Sequence, residues 1–182
     1  FVYYETLKNR YPNVRILTWK KEFNYSAINN FAVREARGEY LLFLNNDVEI
    51  ITESWLEEML QLCQQKDVGM AGAKLYYPDD TIQHAGVVVG LGGVAAHVLC
   101  KLPRDAEGYM GRLRCVQEIS AVTAACMMVK TSVFKAVGGF DEELKVAFND
   151  IDLCMKVRKY GVKIVFTPYA ELYHYESKSR GM

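Results

Sequence analysis

The cysteines of this sequence lack the spacing of a disulfide framework or a zinc site. They are five in number, widely separated and never arranged as Cys-x-x-Cys. An odd count without paired spacing argues against structural disulfides, which are typical of small extracellular domains. This absence predicts a reducing compartment, and we expect a cytoplasmic protein. The five residues are Cys63, Cys100, Cys115, Cys126 and Cys154.

The sequence also lacks a charge excess and a long apolar run. Its 22 basic and 22 acidic residues cancel, whereas a nucleic-acid-binding domain carries a basic excess. Any phosphate must therefore be bound locally, through a metal ion or a few placed side chains. The longest weakly polar stretch, residues 85–100, contains four glycines and is shorter than the roughly 20 apolar residues that span a bilayer. We expect no membrane span, although the parent protein could lie peripherally at the inner face of the membrane.

The sequence does contain the apolar content of one globular domain, with 51% hydrophobic residues in 182. Helical patterns alternate with apolar runs, and hairpin signals follow, which favours an α/β fold with a mixed sheet flanked by helices. Residues 90–114 are glycine-rich and then polar, which predicts a long excursion. The predicted helices cover residues 1–10, 24–37, 52–63, 131–138 and 150–160, and the predicted strands cover residues 14–17, 40–44, 68–76, 82–89, 119–129, 163–167 and 170–173. Asn24 or Ser26 is the expected cap of the second helix and Thr131 that of the fourth, and Gly161 is the expected stop of the last. The third helix is expected to place Leu56, Met59, Leu60 and Cys63 on one face.

The most informative motif is Leu44-Asn45-Asn46-Asp47, directly after an apolar run at residues 40–43. The run predicts a buried parallel strand, and ligands bind at the carboxyl edge of such sheets. There Asp47 can bind a hard divalent cation, which in turn can bind a diphosphate. The alternative interpretation is a simple turn, because Asn and Asp favour turns for local reasons.

A second carboxylate cluster, Asn149-Asp150-Ile151-Asp152-Leu153, opens a predicted helix. A helix start is a rigid mount for a general base, which must lie within hydrogen-bond reach of the proton that it removes. Residues two apart on a helix diverge, so we expect one of the two aspartates to face the site and the other to cap or pair. The alternative is a helix cap with a favourable acidic first turn.

His174 follows the last predicted strand and precedes a polar, basic tail that contains Lys178 and Arg180. A neutral imidazole can bind a metal ion, and the two cations could hold phosphate oxygens. The alternative interpretation is a solvated terminus.

Taken together, four motifs resemble the family 2 glycosyltransferases, which have the GT-A fold. They are Phe43-Leu44-Asn45-Asn46-Asp47, Gly138-Gly139-Phe140-Asp141-Glu142, Asn149-Asp150-Ile151-Asp152-Leu153, and His174 with Ser177. No single motif is distinctive, but their order and separation are specific, and the resemblance extends from about Val14 to the end of the chain. Within the family, Gln83-His84-Ala85-Gly86 and residues 174–181 look like a bacterial subgroup that builds surface polysaccharide.

The resemblance implies a donor site that binds a nucleotide-diphosphate sugar through Mn²⁺ or Mg²⁺. Asn45-Asn46-Asp47 matches the D-x-D position of the family, with Asp47 as the metal-binding carboxylate and Asn45 in place of the first aspartate. His174 matches a late metal ligand. Lys178 and Arg180 would close over the phosphates.

The resemblance also implies the catalytic side. Asp150 matches the catalytic base of the family's E-D-x-D-L motif, with Asn149 in place of the glutamate. The reaction would be inverting, with an acceptor hydroxyl attacking the anomeric carbon as the nucleoside diphosphate leaves. The turn at residues 138–142 would frame the pocket of a saccharide acceptor, for which the expected contacts are Gln83, His84, Asp141 and Asp152.

The sequence departs from the family at its start, because nothing before Val14 matches the first strand–helix–strand unit that binds base and ribose. We therefore expect residues 1–182 to be one N-terminally truncated GT-A domain. Residues 1–67 would be the remainder of the nucleotide-sugar-binding half, and residues 68–182 the acceptor and catalytic half. The strand at 40–44 would lack a neighbour, which predicts self-association along that edge or its coverage by residues 1–12.

Two other functions remain open at this point. A nucleotidyltransferase also uses a cation at a sheet edge, but it would favour a glycine-rich basic loop after the first strand. A non-catalytic module that binds saccharide or protein is the other alternative. Such a module has no need of Asp47, Asp150 and His174 together.

Overall fold

The computed structural model describes residues 2–176, with the side chain of Val2 excepted. The predicted roles of Lys178 and Arg180, and the match at Ser177, lie outside these residues. The helices are α1 (Val2–Arg10), α2 (Tyr25–Glu35), α3 (Trp55–Cys63), α4 (Thr131–Ala136) and α5 (Asn149–Tyr160), with two 3₁₀ helices at Leu91–Gly93 and Tyr109–Arg114. The strands are β1 (Tyr40–Leu44), β2 (Val48–Ile50), β3 (Val68–Tyr76), β4 (Ile82–His84), β5 (Val87–Val89), β6 (Ala95–His97), β7 (Gln117–Glu118), β8 (Cys126–Lys130) and β9 (Lys163–His174).

Seven of these strands form one mixed sheet, which confirms the predicted fold class. Its main path runs β1-β8-β3-β9-β2, with β4 paired to β3 and β7 paired to β9. The pairing of β3 with β9 is parallel, and the other pairings in this sheet are antiparallel. Strands β5 and β6 form a separate hairpin that leads into the long excursion.

The prediction that residues 40–44 form a buried parallel strand is wrong in direction and in burial. Strand β1 pairs antiparallel with β8, and its side chains are only alternately buried. An apolar run does not reveal the direction of its neighbour, and the second half of the chain supplies β8 between β1 and β3. Among residues 2–176, β1 has one neighbouring strand, so it forms an edge, and residues 2–12 do not pair with it.

Three other predicted strands have different limits. Residues 14–17 are exposed and irregular, because no neighbouring strand offers them a ladder of hydrogen bonds. The predicted strand over residues 119–129 is ordered as a strand only from Cys126, whereas residues 163–174 form one continuous strand through Pro168. The run 82–89 divides at Gly86, whose φ of +98° turns the chain out of the sheet.

The helices follow the predicted caps and stops more closely. The side chain of Asn24 accepts a hydrogen bond from the amide of Ala27 at 3.0 Å, so Asn24 caps α2 as predicted. Helix α5 ends at Gly161 in the left-handed conformation. Thr131 is the first residue of α4 and not its cap, because its hydroxyl donates to the carbonyl of Gly38 at 2.7 Å.

Two apolar clusters cover the two faces of the sheet. Helix α3 covers one face with Trp55, Met59, Leu62 and Cys63, whereas Leu56, which we predicted on this face, is exposed. Helices α2, α4 and α5 and the excursion contribute to the cluster on the other face. None of the helices within residues 2–176 combines the length and the apolar character that crossing a bilayer requires.

Candidate active site

The ends of β1 and β9 bring Asp47 and His174 together. Strand β2 follows Asp47 and pairs with β9 so that Val48 lies opposite His174. The carbonyl of Asp47 accepts a hydrogen bond from the amide of Tyr175 at 2.8 Å. The two side chains therefore meet across 127 residues of sequence, which is the juxtaposition that the motif order predicts.

The contacts in this corner are short and largely shielded from solvent. Nε2 of His174 lies 3.3 Å from Oδ1 of Asp47 and 3.1 Å from Nδ2 of Asn45. The side chains of His174 and Asp47 are only 10% and 19% exposed. Oδ1 of Asp47 is buried and has no hydrogen-bond partner among the described residues. Asn46, which we predicted to bind the diphosphate, lies at the exposed tip of the turn.

A divalent cation fits this corner by the chemistry of its donors. Asp47 provides a buried carboxylate oxygen that lacks a partner, and His174 provides an imidazole nitrogen. Mn²⁺ and Mg²⁺ bind such ligands when water or phosphate completes the coordination. Within residues 2–176, no cluster of three or more His, Cys, Asp or Glu side chains is arranged to hold a metal ion. The protein would thus supply few ligands, and the remaining positions would be left for a diphosphate and water.

Strand β4 places Gln83 and His84 behind the corner. Both residues are buried, and Oε1 of Gln83 lies 2.7 Å from Nδ1 of His174. Nδ1 of His84 lies 2.8 Å from Nδ1 of His97. His84 has no exposed surface, so its predicted contact with an acceptor would require the protein to open.

Asp150 is half-buried at the start of α5 and is tied to the same corner through the backbone. Its Oδ2 accepts from the amide of Ala124 at 3.3 Å, and its Oδ1 accepts from the amide of Ile151 at 2.9 Å. The next residue, Ala125, accepts from the amide of Asn45 at 3.0 Å. Two adjacent residues thus connect the predicted base to the predicted metal corner, at one end of the sheet.

The tyrosine nearest to this connection stays protonated. Tyr25 donates its hydroxyl to the carbonyl of Ala124 at 3.2 Å. Burial, and secondarily the charge of Asp150, raise the pKa of Tyr25 well above its ordinary value. Tyr25 is therefore a hydrogen-bond donor beside Asp150 and not a competing base.

Asp152 and Asp141 are used in local contacts. Asp152 forms an ion pair with Lys156 at 2.7 Å, so it diverges from Asp150 as the helical spacing predicts. Oδ1 of Asp141 accepts from the amide of Glu143 at 2.9 Å, which makes a local turn. The side chain of Asn30 holds this turn against α2 through both backbone groups of Phe140, at 2.9 and 3.1 Å. Whether either aspartate contacts an acceptor stays a prediction.

Two residues near Asp150 were not predicted from the sequence. His97 is exposed on the β5–β6 hairpin, yet its ring is enclosed enough that desolvation lowers its pKa, while the charges of Asp150 and Glu176 act in the opposite direction. Phe148 is 50% exposed and has a φ of +61°, which is rare for a bulky side chain. No sequence pattern indicated the hairpin that carries His97, whereas an aromatic residue directly before the Asn-Asp pair was a signal that could have been used.

Two surface cavities lie at other places. One of about 410 Å³ is lined by residues that include Glu58 and Tyr169, and one of about 520 Å³ by residues that include Asp80 and Arg104. Neither is lined by a predicted site residue. The candidate active site is defined by its converging side chains.

Comparison with known sequences gives the family of the chain. The model of a family described as "Glycosyltransferase like family" matches residues 11–179. An uncharacterized protein of Sinorhizobium fredii is 57% identical over 92% of this chain, and an O-antigen biosynthesis protein, RfbC, of Myxococcus xanthus is 42% identical over 93% of it. The chain spans only 19% and 13% of the lengths of these two relatives.

Solved structures share the fold at low sequence identity. GalNAc-T7, in a crystal structure with UDP, GalNAc and Mn²⁺, has a TM-score of 0.72 and 12% identity over 94% of this chain and 34% of its own. The mannosyltransferase PcManGT of Pyrobaculum calidifontis, in complex with GDP-Man and Mn²⁺, has a TM-score of 0.67 and 16% identity over 97% of this chain and 44% of its own. The fold is thus that of the GT-A glycosyltransferases, and the chain belongs to the glycosyltransferase-like family whose members its motifs resemble.

Proposed function

We propose that this chain is the catalytic region of an inverting glycosyltransferase. It would move a sugar from a nucleotide-diphosphate sugar to a saccharide acceptor during the synthesis of cell-surface polysaccharide. The observation that carries this proposal is the convergence of Asp47, His174 and Asp150 at one end of the sheet, with two adjacent alanines linking the corner to the helix start.

The donor would bind at the Asp47–His174 corner through Mn²⁺ or Mg²⁺. Oδ1 of Asp47 and Nε2 of His174 would hold the metal ion, with Asn45 beside them. When bound, the ion would neutralise charge on the departing diphosphate. Asn46 at the exposed turn, and Lys178 and Arg180 in the tail, are proposed to contact the nucleotide-sugar.

Asp150 would act as the general base. Both of its oxygens accept backbone hydrogen bonds, which orient the carboxylate without transferring a proton to it. An acceptor hydroxyl placed within hydrogen-bond reach of this carboxylate would lose its proton to it as the oxygen attacks the anomeric carbon. Because the leaving diphosphate lies on the opposite face of the sugar, the configuration inverts and a covalent enzyme intermediate is not needed.

The two parts of the chain would divide the substrates. Residues 1–67 carry the Asn45–Asp47 turn and are proposed as the remainder of the nucleotide-sugar-binding half, and residues 68–182 carry Asp150 and are proposed as the acceptor and catalytic half. Asp141, Asp152 and the exposed His97 are proposed to lie along the acceptor side. A cytoplasmic location, peripheral to the inner face of the membrane, would suit an enzyme that builds surface polysaccharide.

The relatives support this assignment by their names. RfbC is an O-antigen biosynthesis protein, and a Mycobacterium tuberculosis relative, 25% identical over 94% of this chain and 62% of its own length, is an N-acetylglucosaminyl-diphospho-decaprenol L-rhamnosyltransferase. Both structural neighbours were solved with a nucleotide or nucleotide-sugar and Mn²⁺. These names and bound groups support a nucleotide-sugar donor and a saccharide acceptor for this chain.

Incubation of the full-length gene product with labelled nucleotide-sugars, with Mn²⁺ or with a chelator, tests the proposal. We expect metal-dependent transfer of the sugar, or slow metal-dependent hydrolysis of the donor where the acceptor is missing. Exchange of pyrophosphate into the nucleotide would indicate a nucleotidyltransferase. Saccharide binding without turnover of any donor would indicate a non-catalytic module.

A further inference from the structure

The side chain of Gln83 contacts His174 at two points. Its Oε1 lies 2.7 Å from Nδ1 of the imidazole, and its Nε2 lies 3.3 Å from the backbone carbonyl of the same residue. Gln83 is only 5% exposed. Solvent therefore does not compete strongly for these contacts, and they are made inside the protein.

The surroundings of Gln83 define which end of its amide is oxygen. Nε2 faces the carbonyl oxygen of His174 and also Oε2 of Glu176 at 3.4 Å, and both of these oxygens can only accept hydrogen bonds. The amide nitrogen must therefore lie on that side. The amide oxygen is left to face Nδ1 of His174, where it can only accept.

This arrangement determines the tautomer of the imidazole. Because Oε1 of Gln83 accepts, Nδ1 of His174 must carry a proton, and the neutral ring then has its lone pair at Nε2. Nε2 is the atom that faces Asp47 and Asn45. Free imidazole side chains favour the opposite tautomer, with the proton on Nε2, so the protein selects the less common form.

We propose that Gln83 is a positioning residue that holds His174 in its Nδ1-protonated form, so that Nε2 presents its lone pair beside Asp47. This inference deepens the proposed function and rests on the use of His174 as a metal ligand. Histidine ligands of metal ions usually donate their second N–H to an oxygen acceptor, and that partner sets ring orientation and basicity. Gln83 supplies the oxygen that accepts this hydrogen bond, so it supports the nucleotide-sugar site. The sequence had instead suggested that Gln83 contacts the saccharide substrate.

The direct test is the tautomer of His174 in the metal-free chain. The sequence contains three histidines, so long-range ¹H–¹⁵N spectra of the imidazoles at pH 8 can be assigned with single His84→Gln and His97→Gln variants. We expect Nδ1 of His174 to be protonated in the wild-type chain and the proton to move toward Nε2 in Gln83→Met, which keeps the length of the side chain but removes the acceptor. Gln61→Met, on the surface of α3, is the matched control and should leave the spectrum of His174 unchanged.

A second variant separates positioning from folding. Gln83→Glu loses the donated hydrogen bonds but keeps an oxygen that accepts from Nδ1, so it should retain the wild-type tautomer even where thermal unfolding shows reduced stability. Titration of Mn²⁺ alone, followed by the loss of the free-ion EPR signal, should show affinity about 10–100-fold weaker in Gln83→Met than in Gln83→Glu. A wild-type tautomer in Gln83→Met, or equal Mn²⁺ affinity in the two variants, would overturn the proposal.

Different outcomes would contradict the metal site and the role of Gln83. If Nδ1 of His174 is protonated in the wild-type chain, but His174→Ala binds Mn²⁺ as tightly as the wild-type chain does, the proposed metal site is wrong. Gln83 would in that case still set the tautomer. A wild-type His174 with its proton on Nε2 contradicts the role of Gln83, whatever the metal affinity is.

Discussion

The metal corner and the entrance of α5 differ in how far the protein encloses their side chains. In the corner, His174 has defined partners on both ring nitrogens, and its side chain is 10% exposed. At the entrance of α5, Phe148 is 50% exposed, and Asp150 is only half-buried and accepts hydrogen bonds from two backbone amides. Under the proposed function, the enclosed corner would hold the diphosphate that all nucleotide-sugars share, whereas the acceptor would meet the exposed surface at α5.

The largest expected effect concerns Asp150 in the open region. Asp150→Asn keeps the shape of the side chain but cannot take a proton, so kcat of the full-length gene product should fall by about 10²–10⁴-fold. Donor affinity, measured by calorimetry, should change little, because the metal corner is intact. Asp67→Asn is the matched control, since Asp67 is held by an ion pair with Lys163 and has no role in the proposed site. Near-normal turnover of Asp150→Asn would show that Asp150 is only structural.

Two histidines sharpen the comparison between the regions. Loss of a residue that supports a metal ligand weakens metal binding by roughly 10–100-fold. His174→Ala removes the ligand itself, so it should weaken Mn²⁺ binding by at least this factor. His97→Ala should leave Mn²⁺ binding unchanged and raise KM for the acceptor. Equal loss of Mn²⁺ affinity in both variants would mean that the two regions are not separate sites.

The turn at residues 138–142 offers a pair of glycines with different surroundings. A Cβ at Gly139 would lie 2.8 Å from Oδ1 of Asn30 and 2.9 Å from the ring of Phe134, at a φ of +70°. Gly139→Ala should therefore destabilise the chain by about 1–3 kcal/mol through crowding, in addition to the strain. Gly138 has a φ of +84°, and a Cβ there would have no atom within 4 Å. Gly138→Ala should therefore lower the free energy of unfolding by only the backbone strain, about 1–2 kcal/mol.

Denaturant unfolding of both variants measures these costs. The same two variants should leave Mn²⁺ affinity unchanged, because the turn lies on the acceptor side. A larger loss of stability in Gly138→Ala than in Gly139→Ala would show that contact with Asn30 and Phe134 does not hold the turn.

The buried His84 predicts a dependence of stability on pH. Burial, and secondarily the neighbouring His97 and His174, lower the pKa of His84 well below its ordinary value. The unfolded chain takes up a proton below about pH 6.5 and the folded chain does not, so stability falls as the pH is lowered through that value. The loss should be about 2 kcal/mol between pH 7 and pH 5, above the range in which carboxylates titrate.

Urea unfolding at pH 7, 6 and 5 measures this slope. It should be shallower in His84→Gln, which leaves the burial of neighbouring groups similar but removes the titrating ring. A free energy of unfolding that is level between pH 7 and 5 would contradict the enclosed, neutral His84.

The sequence predicted the parts of the fold and site that depend on local chemistry. The cap at Asn24, the stop at Gly161 and the carboxylates at strand and helix ends are signalled by residue type at the place where they act. The pairing of Asp47 with His174 was predicted only because the ordered motifs resembled a known family. Composition or periodicity would not have joined residues 127 positions apart.

The remaining features depend on contacts that no local pattern encodes. The direction of β1 depends on β8, which is more than 80 residues away in the chain. The irregular backbone at residues 14–17 reflects the absence of a neighbouring strand among the described residues, although its composition favours a strand. The roles of Gln83 and His97 depend on which ring nitrogen faces which partner, and this is visible only once β4 and the β5–β6 hairpin are folded.

The central claim is that the imidazole of His174 binds the divalent cation beside Asp47. Pulsed EPR of Mn²⁺ with uridine or thymidine diphosphate, on the full-length gene product carrying ¹⁵N-labelled histidine, measures this contact directly. We predict one nitrogen coupling of a coordinated imidazole, which disappears in His174→Ala and persists in His84→Gln and His97→Gln. A nucleotide-dependent Mn²⁺ signal without any nitrogen coupling in the wild-type protein would contradict the account.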